Sequence, residues 1–240
     1  MADPLGRVPS KFQEKKGKTV PIPDGVDLAI PASGLAFTGI RPGSWILFPA
    51  GCTTNFVFGG GTEIGTAGHC ANVGDEVTIV AAPGVLMNIG KVSLSRDNGI
   101  GDDFALIDIY PAMQQFVNPS MTHWAGPTGA AAPKFGDAVV HSGHGLVIGT
   151  GGTSRAGLVT YTGPGDTGSN GNAFGWDGAA SPGDSGSAVR NVTGAASGNL
   201  THLVVGTDYL PAFIAGTTIG RMQALAGPLT TADLIPDPLY

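Results

Sequence analysis

Three short segments hold the side chains that could carry covalent chemistry. "GTAGHC" (65–70) presents His69 beside Cys70, and "DDFALIDI" (102–109) places an acidic pair before an apolar run. "ASPGDSGSAV" (180–189) sets Ser185 between Asp184 and Gly186, with Gly183 two residues before it. A serine hydroxyl is essentially un-ionised near neutral pH, so as a nucleophile it needs a base. An imidazole base in turn needs a partner that fixes its tautomer. Histidine, aspartate and serine supply those three roles, and the chemistry does not fix their order along a chain. Glycine costs backbone entropy on folding. A cluster of glycines around one serine therefore marks either a turn with unusual dihedrals or a main chain that must meet a substrate closely. The acidic pair reads either as a turn or as a carboxylate held to accept a histidine N–H.

The remaining candidates are weaker. Cys52 and Cys70 are the two cysteines. They leave three readings open: a disulfide between neighbouring strands, stabilising by roughly 3 kcal/mol in the chain-entropy model; two buried thiols; or a two-Cys, one-His zinc site without a fourth ligand at usable spacing. His141 and His144 in "HSGHG" lie three apart, which on a strand points them to opposite faces and disfavours a shared metal. His123 and His202 read as surface or hydrogen-bonded core residues. Trp45, Trp124 and Trp176 read as fillers of core or loops, with Trp176 also a candidate for a pocket rim. Asn191-Val-Thr and Asn199-Leu-Thr fit the N-glycosylation pattern, whereas Asn118 precedes Pro119 and does not. No metal and no cofactor is expected.

The elements that must position these residues are short strands. Of 240 residues 40 are Gly, 42% are hydrophobic and only 12% are charged, the last about half the usual share. Runs such as "SWILF", "EVTIV", "FALIDI", "AVVHSG", "GLVTYT" and "HLVVGT" are strand length and alternate with Gly, Pro, Asn and Asp clusters. This is the rhythm of an all-β barrel or sandwich. "GTTIGRMQALAGPL" (216–229) is the one helical stretch, with Thr217 or Thr218 as its cap and Gly227-Pro228 as its stop. Residues 1–33 are poor in strand signals and form an N-terminal extension, partly disordered or a remnant of a pro-segment. The loop at 125–137 is the midpoint break. The net charge of -6 leaves no basic stripe for nucleic acid, and no apolar run reaches membrane length. "MADPLGRVPS" lacks a secretory h-region, so the protein is either intracellular or a trimmed form.

Taken together, "GTAGHC", "DDFALIDI" and "SPGDSGSAV" resemble the trypsin-like (chymotrypsin-fold) serine endopeptidases, in the family's order and with sensible gaps, from about Ser44 to the terminal helix. The low-charge, Gly- and Thr-rich texture is similar to secreted microbial members. The resemblance implies two antiparallel six-stranded β-barrels and a short C-terminal helix. The first barrel would span about 34–125 and the second about 126–240. It implies His69 as general base, Asp103 as its orienter in preference to Asp102 or Asp108, and Ser185 as nucleophile. The backbone N–H groups of Gly183 and Ser185 would form the oxyanion hole. It pairs Cys70 with Cys52 in a disulfide, and hence implies an extracellular protein whose signal has been removed. Three departures stand out. Ser187 replaces a usual glycine. No Ile-Val-Gly-Gly type start is present to donate an ammonium to Asp184. Ala179 occupies the floor of the specificity pocket, six residues before the nucleophile, with Asp177 two positions off. Ala179, with Tyr209, Leu210 and Pro211 as the far wall, implies a small or apolar residue at the cleaved position. The expected partner is a protein or peptide substrate, with no nucleic acid or membrane, and the expected state is a monomer. The alternatives are a catalytically weak binding relative and a very selective protease or esterase acting on a host or wall target.

Overall fold

The computed structural model describes residues 7–9, 39–82, 85–144, 153–168, 171–204 and 213–234. Within them, runs of β-branched and aromatic residues form strands, and glycines turn the chain between them. β1 (Arg7–Pro9) comes first. The N-terminal half carries β2 (Trp45–Phe48), β3 (Cys52–Thr53), β4 (Val57–Phe58), β5 (Glu63–Thr66), β6 (Glu76–Ala82), β7 (Val85–Asp97) and β8 (Asp103–Ile109). The C-terminal half carries β9 (Gly129–Ala130), β10 (Ala138–Gly143), β11 (Thr153–Gly163), β12 (Ala173–Trp176), β13 (Ala188–Asn191), β14 (Ala195–Val204), β15 (Phe213–Thr218) and the helix α1 (Ile219–Ala226). None of the described helices is long and apolar enough to cross a membrane.

The second half closes on itself. Its ring runs β14-β13-β10-β11-β12-β15, and β15 pairs back to β14, giving a six-stranded antiparallel barrel. The first half is a seven-stranded antiparallel sheet in the order β3-β2-β6-β7-β8-β5-β4, whose end strands do not pair among the described residues. Those end strands have two residues each. β3 instead bonds across to the other half, where Thr53 N–H donates to the Ser185 carbonyl at 2.8 Å.

Each half has its own apolar core. Ile46, Ile64, Val77, Ile79, Ile89 and Ile107 fill the first. Val139, Val159, Phe174, Trp176, Val189 and Ile214 fill the second. A third cluster sits at the seam and includes Phe56, Phe58, Phe104, Leu106, Ile219 and Met222. Burying one such side chain contributes about 1.5–3 kcal/mol. This seam fixes the start of β8, and with it Asp103, against α1. Thr218 is the cap residue of α1 by position, but its hydroxyl donates to the Gly171 carbonyl instead of to the helix. Gly227, at φ 82°, stops the helix as expected.

The two histidines of "HSGHG" pack against different tryptophans. His141 lies edge-on to Trp176 at 5.9 Å, and His144 stacks on Trp45 at 6.0 Å. Trp176 is fully buried and stacks on Phe174 in the second core. Burial, with the charge of Arg155 adding, pushes His141 down to about 3. In the unfolded chain a histidine titrates near 6.5, so on acidification the unfolded state takes up its proton first. Stability from this residue is therefore complete above about pH 6.5 and is lost as pH falls toward 3, by about 1.4 kcal/mol per pH unit. Urea midpoints measured at pH 7 and pH 4.5 should drop less in His141→Gln than in the wild type; equal drops would show that His141 is not the group responsible.

Candidate active site

His69 sits in a one-turn 3₁₀ helix, Gly68–Cys70, at the end of β5. Gly68 is there because a Cβ would meet the Arg96 carbonyl oxygen of β7 at 1.8 Å. Cys70 is bridged to Cys52 of β3, which pins the turn from its far side. The bridge also removes both sulfurs as thiolate ligands, so the two-Cys, one-His zinc reading fails.

Three groups from three separate elements line up. His69 Nε2 is 2.8 Å from Ser185 Oγ. His69 Nδ1 is 2.5 Å from Asp103 Oδ2, and the His69 backbone N–H donates to Asp103 Oδ1 at 3.1 Å. Asp103 and Ser185 have no solvent exposure, and His69 is 6% exposed. The line is thus shielded from competing water.

The second half holds Asp103 by its main chain. The Asp103 N–H donates to Thr217 Oγ1 at 3.1 Å, and its carbonyl accepts from Thr217 Oγ1 and from Asn199 Nδ2, each at 3.2 Å. Asn199 is fully buried in this role, so the folded protein cannot present it as a glycosylation acceptor. The neighbouring Asp102 points elsewhere. It accepts from Arg96 Nη2 at 2.9 Å, Asn98 Nδ2 at 2.8 Å and Arg221 Nη2 of α1 at 2.8 Å. Burial alone would raise its pKa. The hydrogen bonds from Arg96, Asn98 and Arg221, with the charge of Arg221, outweigh that and bring it down to about 2. Of the two acidic residues, the structure brings only Asp103 to the histidine.

The loop around Ser185 is fixed on both sides. Gly183 and Gly186 have φ of 103° and 91°, conformations that side chains rarely adopt. At Gly186 a Cβ would also meet the Thr53 carbonyl oxygen at 2.1 Å. Thr53 Oγ1 donates to the Gly183 carbonyl at 2.9 Å. Asp184 finds its counter-charge in Arg155 of β11, whose Nη1 donates to Asp184 Oδ2 with both side chains buried. Asp184 Oδ2 also accepts from Ser181 N–H at 2.8 Å. Ser187 takes part as well, its hydroxyl donating to the Asp184 carbonyl at 2.6 Å.

Other residues stand beside this line. His202 of β14 is buried, its Nδ1 lies 3.8 Å from Asp103 Oδ2, and its ring meets that of His69 edge-on at 5.9 Å. The Thr201 hydroxyl donates to the Ala215 carbonyl. His202 Nδ1 lies 2.8 Å from the same hydroxyl oxygen. Asp97, exposed at the end of β7, brings a carboxylate within 4.8 Å of His69 and Asp103. A single histidine in a strand carries no spacing signal, so only the pairing of β14 with β15 reveals His202. An apolar cavity of about 230 Å³ opens nearby, lined by Ile100, Tyr161, Pro164, Val204 and Phe213, with Asp166 at its rim. Of the proposed pocket residues, Ala179 is exposed, and Tyr209, Leu210 and Pro211 lie outside the described residues.

No protein-family model matches the chain, and no curated protein matches it. Solved structures do. The chymotrypsin of Cellulomonas bogoriensis is 18% identical over 82% of this chain and 98% of its own, with a TM-score of 0.53. Thermobifida fusca Protease A is 21% identical over 81% and 98%, at 0.54. The Nocardiopsis protease NAPase is 19% identical over 79% and 97%, at 0.53. All three are bacterial chymotrypsin-fold serine proteases, and likeness at this identity establishes the fold.

The Arg155–Asp184 pair yields a stability test. Removing one member of a buried pair leaves an uncompensated charge, at a cost of about 3–5 kcal/mol. Arg155→Met should lose about that much in denaturant unfolding, and Arg155→Met with Asp184→Asn should recover part of it; no recovery would mean that Arg155 acts through packing alone.

Proposed function

We propose that this chain, which has the chymotrypsin fold of bacterial serine proteases, is a secreted serine endopeptidase that works through an acyl-enzyme. The observation that carries this reading is the unbroken line from Ser185 Oγ through the His69 ring to Asp103. As Ser185 Oγ bonds to the carbonyl carbon of a peptide, its proton passes to His69 Nε2. The carbonyl π electrons move onto oxygen, which the backbone N–H groups of Gly183 and Ser185 would face. Each such donor is typically worth about 10²–10³ in turnover. Collapse of the tetrahedral intermediate breaks the C–N bond, and His69 hands its proton to the departing amine. Water then repeats the sequence on the ester, with His69 again the base. Asp103 keeps Nδ1–H directed at itself and stabilises the imidazolium. His202 is a positioning residue in this scheme, bracing the far side of the Asp103 carboxylate.

The Cys52–Cys70 bridge supports an oxidising compartment. The apolar cavity beside Ile100 and Val204 supports a substrate with apolar side chains near the cleaved bond. Ala179 supports a small or apolar residue at that bond itself, since no carboxylate stands there to meet a lysine or arginine.

A fluorophosphonate or sulfonyl fluoride should add its mass to Ser185, and the addition should vanish in His69→Ala. Ser185→Ala should lose at least about 10³-fold in peptide hydrolysis. A folded sample that takes up no label would exclude the reading. A cleavage profile over a peptide library should favour small and apolar residues; one dominated by Lys or Arg would overturn the pocket assignment while leaving the triad in place.

A further inference from the structure

The outer edge of β14 beside the triad is already occupied. β14 pairs with β13 along residues 188–190 and with β15 along 213–218. Past the end of β13, the flank of His202–Val204 opposite β15 would be a bare strand edge. β1 covers that flank, antiparallel, with Arg7 opposite Val204, Val8 opposite Leu203 and Pro9 opposite His202. The direction matters. β1 runs so that its C-terminal end lies against His202, the β14 residue whose ring abuts His69 and whose Nδ1 is 3.8 Å from Asp103. Its N-terminal end lies against Val204, a wall of the apolar cavity. An extended peptide presented to Ser185 would add to the same edge, because a bare edge beside the nucleophile offers main-chain donors and acceptors that any sequence can meet.

We propose that Arg7–Pro9 is an intramolecular occupant of the substrate edge, so that the full chain is held partly latent and gains activity on extended peptides when this segment leaves. The inference rests on the serine-protease reading and adds to it the regulation of the site. The argument is one of shared hydrogen-bonding groups: β14 cannot pair with β1 and with a substrate strand on one flank at once. A tethered segment competes at an effective concentration in the millimolar range. With that concentration about ten times the segment's own dissociation constant, the apparent KM for a long peptide rises about tenfold. It leaves kcat unchanged, since the segment is displaced before chemistry. A small phosphonate that needs no strand pairing reacts at Ser185 regardless of β1.

The test uses the full chain and the double variant Arg7→Pro, Val8→Pro. In an antiparallel pair alternate residues donate to the partner, so the two adjacent substitutions remove a pairing N–H in either phase. With a tetrapeptide p-nitroanilide ending in alanine, KM should fall about tenfold in the variant, with kcat within twofold and the phosphonate labelling rate unchanged. Equal KM values in the two proteins, with Ser185 labelled in both, would overturn the proposal. Amide exchange provides a check independent of catalysis: at least one of Arg7 and Val8 should exchange slowly in the wild type. If both exchange at the unprotected rate, the segment is not seated and the proposal fails. If neither protein labels at Ser185, the serine-protease reading falls and latency falls with it, while slow exchange would still identify β1 as a purely structural strand.

Discussion

A carboxylate with no access to solvent lies at the seam between the two halves, and the rest of the site is arranged around it. Burying a carboxylate is costly unless its oxygens meet donors. The first half supplies the ring and the backbone N–H of His69. The second half anchors the Asp103 main chain through Thr217 and Asn199 and packs the His202 ring behind the carboxylate. Neither half alone supplies all of these contacts. Assembly of the two halves and formation of the site are therefore one event, and the phenylalanine cluster around Phe104 supplies the apolar driving force for it.

The serine is placed by the same logic on a smaller scale. A tight loop with glycines at positive φ buries polar groups, and some of these find partners across the seam or in β11. Thr53 stitches the loop to β3, and the Arg155–Asp184 pair fixes its far side. The acidic neighbour of Asp103 shows how two adjacent carboxylates are given different work. Asp102 is claimed by Arg96 and by Arg221 of the terminal helix, which ties that helix to the first half and prevents Asp102 from competing for His69. Glycine at position 68 is a matter of space, because the β7 carbonyl passes where a side chain would stand.

One strand, β14, joins most of these functions. Its outer flank is covered by β1, its residue 202 touches the buried carboxylate, Asn199 holds the Asp103 carbonyl, and Val204 borders the apolar cavity.

Residue types and their local settings are legible along the chain. The glycine-flanked serine, the histidine before a cysteine and the acidic pair before an apolar strand could be read directly, since each depends on neighbours within a few positions. The all-β character and the terminal helix were legible for the same reason, because periodicity and turn residues are local. Contacts between residues far apart in the chain emerge from the fold alone: Arg155 as the partner of Asp184, His202 behind Asp103, Arg221 on Asp102, Asn199 turned inward despite its glycosylation pattern, and β1 on the edge of β14. The open first sheet belongs here too, because whether end strands meet depends on how far a sheet curls and on what else its edge can bond. A side chain that works through a distant partner leaves no spacing in the chain to be recognised, since strand pairing alone sets which remote residues become neighbours.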